Sequence, residues 1–106
     1  MVGKIYLAKI FFTDLKEFKI RPVLIIKELK DDVICLQLST KIKPDRIVIT
    51  NSKLVDGFIK STSIAVIPKN FTISKNILGK YIGKIDNETL KIIYEKFCQE
   101  IGCNNE

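Results

Sequence analysis

The sequence has 106 residues, is 46% apolar and carries a formal charge of +6, with sixteen lysines, two arginines and no histidine. That length suits one domain, 1–106, with a single core, and the apolar content argues against disorder. No apolar run approaches the roughly 18 to 20 residues of a membrane span, and Lys4 and Lys9 interrupt the apolar opening, so neither a span nor a signal peptide is expected and the chain reads as cytoplasmic.

In chain order, Lys4 to Phe12 is rich in strand formers and follows Gly3. A polar turn, "TDLKEFK", leads to a second strand, Arg21 to Leu29, where Pro22 is tolerated because it removes a donor only at the strand's start. After "LKDD", Val33 to Thr40 alternates Cys35, Gln37 and Ser39 against Ile34, Leu36 and Leu38, and the three segments predict an antiparallel meander. Arg46 to Thr50 reads as a short strand, "NSKLVDG" as a turn-rich connection, and Thr62 to Pro68 as a strand ended by its proline. "FTISKNILGKYIGKI" predicts a helical turn and a last strand up to Ile85.

The tail alone has a helical period. Asp86 is placed as the N-cap, Glu88 in the first turn and Gly102 as the stop, while Leu90, Ile93, Phe97 and Ile101 share one face. Short strands at close spacing with one terminal helix predict a mainly β fold, a small bent barrel crossed by the helix.

Three cysteines in a chain without histidine match no zinc pattern. Cys35, inside the alternation, reads as a core residue, and Cys98 and Cys103 as reduced thiols. The positive charge is compatible with a polyanionic partner such as nucleic acid, and equally with a lysine-rich composition of no functional consequence.

Several short blocks recur together: Gly3 before the first strand; Thr13-Asp14-Leu15, then Lys19 and Arg21-Pro22; a strand closing on Leu38-Ser39-Thr40; "GFIKSTSI" from Gly57 to Ile64; and "ILGKYIGKIDNETLKIIYEKF" at the end. In this order, over nearly the whole chain, they resemble the PemK/MazF-like toxins of type II toxin–antitoxin systems. Lys4 stands where the family has an acidic residue, Ser39 where it has its catalytic threonine, and the loop before Arg21 is short. The resemblance implies an SH3-like barrel with a C-terminal helix, a homodimer, and metal-independent cleavage of single-stranded RNA, including mRNA, with no cofactor. It also implies a cognate antitoxin whose flexible segment covers the active groove.

On that basis Arg21, Ser39 and Thr40 are the candidate catalytic residues, and Lys16, Phe18, Lys19 and Lys41 the candidate RNA-binding ones. Cleavage without a metal needs a fixed cation where charge builds on the nonbridging phosphate oxygens, and a guanidinium fork can hold two of them. Hydroxyls can hydrogen-bond the phosphate or the 2′-hydroxyl, lysines can neutralise flanking phosphates, and Phe18 can stack on a base. Read without the resemblance, Arg21 would pair with Asp14 or Glu17, and Ser39 and Thr40 would merely end a strand; Lys53, Lys60, Lys69, Lys75 and Lys80 are expected to serve solubility.

Two other functions fit such a fold: a non-catalytic SH3-like module for nucleic acid or peptide, and a CcdB-like gyrase inhibitor. The second acts through a terminal helix that includes a tryptophan, and this chain has none. The first requires no juxtaposition of Arg21 with Ser39.

Overall fold

The computed structural model describes residues 1–11 and 17–103. Among these, the strands are β1 (Lys4–Phe11), β2 (Phe18–Glu28), β3 (Asp32–Ser39), β4 (Val48–Ile49), β5 (Leu54–Gly57), β6 (Ser63–Ser74) and β7 (Leu78–Ile85), followed by the helix α1 (Asn87–Ile101). The expected end of the first strand at Phe12, and the Thr13–Leu15 turn, lie outside the described residues.

The strands form one curled antiparallel sheet in the order β4-β6-β3-β2-β1-β7-β5. The expected meander is its centre: β1 and β3 flank β2 in register, with Leu7 opposite Pro22 and Leu24 opposite Leu36. Because β2 is buried on both sides, its Val23–Ile26 run is apolar without alternation. Leu24 and Ile26 face the main core with Ile5, Leu36, Leu38, Ile85 and Ile93, while Val23 joins Ala8 and Cys35 in a smaller cluster with Tyr6 and Phe71.

Two expectations need correction. The segment 62–68 does not end at Pro68: β6 continues to Ser74. The pairing of β3 with β6 shifts register between Leu36 and Leu38, and Pro68 falls in that irregularity, where the ladder needs no donor from it. The segment "NSKLVDG" is also more than a connection. Asn51–Lys53 form a 3-10 turn, and Leu54–Gly57 pair with β7 as an edge strand. Between these elements the Asn51 side chain accepts from the Ile59 amide at 2.8 Å and donates to its carbonyl at 2.9 Å, satisfying a residue that has left the sheet.

The helix begins and ends as the sequence predicts. Asp86 Oδ1 accepts from the Thr89 amide at 2.7 Å, and Gly102 closes the helix with φ +81°. Ile93 is fully buried, Leu90 and Phe97 pack beside it, and Ile101 stays exposed. Tyr94, on the same helix, donates its hydroxyl to the Ile26 carbonyl and so ties α1 to the central strand.

Candidate active site

Arg21 lies on β2 opposite Ala8 of β1. On its other side the last registered pair between β2 and β3 is Val23 with Gln37. Two residues further along both strands, beyond the registered pairs, stand Arg21 and Ser39, and the strand period gives both the same face as Val23 and Gln37. Pro22 brings no N–H to this end of the ladder, and the two strands part here.

Among the described residues the Arg21 guanidinium makes one long contact, Nη1 to the Ile20 carbonyl at 3.3 Å. Among the described residues no carboxylate lies within ion-pairing distance of it, so the pairing with Glu17 does not form; Asp14 lies outside the described residues. The other arginine is engaged differently: Arg46 Nη1 donates to the Ile67 carbonyl at 2.6 Å, beside the irregularity in β6.

Ser39 is half-buried at the last position of β3, and its Oγ accepts from the Lys41 amide at 3.2 Å. That turn leaves the hydroxyl proton free to donate and seats Lys41 next to Ser39. Lys19 is two residues from Arg21 on β2 and shares its face. Arg21, Lys19 and Ser39 thus lie on one face at this end of β2 and β3, with Lys41 in the turn that follows Ser39.

The remaining candidates are placed elsewhere. Thr40 is exposed and lines a cavity of about 600 Å³ with Pro22 and Leu38, on the opposite side of the strands from Arg21 and Ser39. Phe18 alternates away from Arg21: its ring packs on Phe11 at 5.7 Å and lies under the Lys9 ammonium at 4.9 Å. Lys16 lies outside the described residues.

The cavity collects residues that the sequence does not single out. Phe58 is 67% exposed at its edge, and Lys60, Lys80 and Tyr81 complete its polar and aromatic lining. Lys60 and Lys80 thus share one cavity wall, whereas Lys75 pairs with Glu28 at 2.8 Å. Gly57 sets this geometry. It has φ +79°, and a Cβ there would lie 2.0 Å from the Ile82 carbonyl oxygen, so only glycine lets the chain cross β7 and present Phe58. An exposed phenylalanine directly after such a glycine is the one local signal that could have pointed to this cavity.

Tyr81 donates its hydroxyl to Asp56 Oδ2 at 2.6 Å. This hydrogen bond to the carboxylate, helped by desolvation, pushes the phenol up to about 12, so it stays protonated at neutral pH and is no base. Among the described residues no group of three acidic, cysteine or histidine side chains is arranged to hold a metal ion.

The family model for PemK-like, MazF-like toxins of type II toxin–antitoxin systems matches residues 2–101. The chain belongs to that family. Solved structures share its fold. An endoribonuclease in complex with its cognate antitoxin from Mycobacterial species is 20% identical, with TM-score 0.73, covering 96% of this chain and 92% of that one. Mycobacterium tuberculosis toxin MazF-mt6 is also 20% identical, with TM-score 0.73 and coverage of 93% and 96%. A further endoribonuclease from Mycobacterial species is 18% identical, with TM-score 0.73 and coverage of 96% and 90%. Comparison with curated proteins finds no match. Among the described residues no helix is long and apolar enough to cross a membrane.

Proposed function

We propose that this family member is a single-domain cytoplasmic toxin that cleaves single-stranded RNA, including mRNA, without a metal, and that a cognate antitoxin silences it. The observation that carries the reading is the shared face of Arg21 and Ser39, with Lys19 and Lys41 beside them and no carboxylate among the described residues competing for the guanidinium. The family, and a structural neighbour that is an endoribonuclease in complex with its cognate antitoxin, support the reaction class and the antitoxin.

In this reaction the 2′-hydroxyl of the RNA attacks the adjacent phosphorus and the 5′-oxygen leaves, giving a 2′,3′-cyclic phosphate and a 5′-hydroxyl. The Arg21 fork holds the nonbridging oxygens as their charge grows, and its rigid geometry favours the transition state over the ground state. Ser39 donates its hydroxyl to the same phosphate. Without histidine, acceleration rests on charge stabilisation rather than on an imidazole base. Lys19 and Lys41 neutralise flanking phosphates, and the lysines of the cavity extend the contact.

A homodimer completes the assembly. Phe11, Phe18 and Ile20 are exposed side by side along the β1–β2 pair, and burying them against a second copy removes that apolar surface from water. Light scattering should report twice the chain mass at micromolar concentration.

The decisive assay incubates purified protein with single-stranded RNA in EDTA. Cleavage with cyclic-phosphate ends supports the proposal. Cleavage that requires added magnesium, or binding without cleavage, overturns it, and the latter points to the non-catalytic module.

A further inference from the structure

The last turn of α1 ends in a paired closure. The amides of Gly102 and Cys103 both reach back to the Cys98 carbonyl, that of Cys103 at 2.9 Å, while Gly102 takes the left-handed conformation. A closure of this kind brings the side chains at its two ends into contact, and in most helices that contact is apolar. Here both ends are cysteines. Both thiols are free, Cys98 partly buried and Cys103 exposed. Neither lines the cavity nor belongs to the Arg21 corner.

We propose that Cys98 and Cys103 are a covalent modification site, a dithiol that closes to an intrachain disulfide by exchange with a low-molecular-weight disulfide of the glutathione class. Cys103, the exposed member, attacks as the thiolate. It forms a mixed disulfide and releases one small thiol. Cys98 then gives up its proton and attacks Cys103 Sγ, expelling the second small thiol. Two protein thiols are oxidised, one small disulfide is reduced to two thiols, and the two protons leave on those thiols.

Three features support this order. The 2.9 Å backbone bond already holds the two cysteines' segments side by side at the helix end. The neighbouring Cys103 thiol, with partial burial, raises the Cys98 thiol above its ordinary value, which suits it to the second step rather than the first. The third cysteine does not compete: Cys35 is fully buried, and desolvation pushes its thiol up to about 12. A reducing compartment keeps the pair open, and an oxidative shift closes it. Closure pins the turn that carries Phe97 and Ile101 along the groove beside Ile26 and Ile34.

The test treats the full reduced chain with oxidised glutathione, quenches with acid, and measures intact mass and peptide maps. The chain should lose two hydrogens and retain no glutathione, with Cys35 still free. Cys98→Ser should instead stop at a stable glutathione adduct on Cys103. The oxidised parent should melt higher than the reduced parent, a shift absent in Cys98→Ser. A parent chain that carries a persistent adduct on Cys103 with Cys98 free, that does not react, or that pairs either thiol with Cys35 overturns the proposal. None of these readouts depends on RNA cleavage.

Discussion

Among the described residues, the Arg46 guanidinium donates to the Ile67 carbonyl at 2.6 Å, whereas that of Arg21 reaches only the neighbouring Ile20 carbonyl, at 3.3 Å. One arginine is anchored beside the irregularity in β6; among the described residues the other has most of its donors unengaged.

The two should separate experimentally. Arg21→Ala should lower RNA cleavage by about 10²-fold or more, the scale of losing one fixed donor to developing charge. Arg21→Lys should recover only part, because it keeps the charge and loses the fork. Both should melt close to the parent. Arg46→Ala leaves the Ile67 carbonyl without its charged donor and should cost about 1 to 3 kcal/mol of stability in denaturant titrations. If Arg21→Ala cuts at the parent rate, Arg21 has no catalytic role.

Lys60 and Lys80 test whether the cavity contacts RNA. If each neutralises one phosphate, each alanine variant should weaken binding of a non-cleavable single strand. Each should also reduce the dependence of log affinity on log salt by about one unit. Melting temperatures should hold. Affinities and slopes identical to the parent would leave the cavity out of the RNA path.

Acid should destabilise the fold through two carboxylates. Asp86 is held below its ordinary 3.8 chiefly by its hydrogen bonds with Thr89, and Glu28 below 4.5 chiefly by Lys75 and then by the amino terminus. Both folded values are lower than the unfolded ones, so the stability they contribute is present above the unfolded values. It is lost as pH falls through the folded ones. Asp86→Ala should cost about 1 kcal/mol at neutral pH as a lost helix cap. The cost should shrink toward zero in the acid limb of a pH series of urea melts.

Gly57→Ala should destabilise the chain by more than about 1 kcal/mol, since alanine is strained at positive φ. Its Cβ would also meet backbone atoms of Ile82 and Gly83, which cannot rotate away. Stability equal to the parent would mean that β5 and β7 separate at little cost.

The features legible in the sequence are those decided by a few neighbouring residues. Asp86 and Gly102 bound the helix because a carboxylate three residues before an amide, and a residue free to take positive φ, act within one turn. The β1–β3 meander was legible because its strands are consecutive and its apolar positions continuous. The opening and strand-end blocks were enough to indicate the family, and they brought Arg21 and Ser39 into question together.

What the tertiary structure alone decided depends on partners distant in the chain. Leu54–Gly57 is turn-rich by composition and becomes a strand because β7 offers it an edge. Pro68 ends a strand by local rule, yet β6 continues because the register shift against β3 removes the need for its donor. Thr40 and Ser39 are neighbours in sequence, yet only Thr40 lines the cavity beyond the end of β3. Lys60 and Lys80 line one cavity because Gly57 lets the chain pass against Ile82 and Gly83, a close approach that no periodicity within either segment encodes.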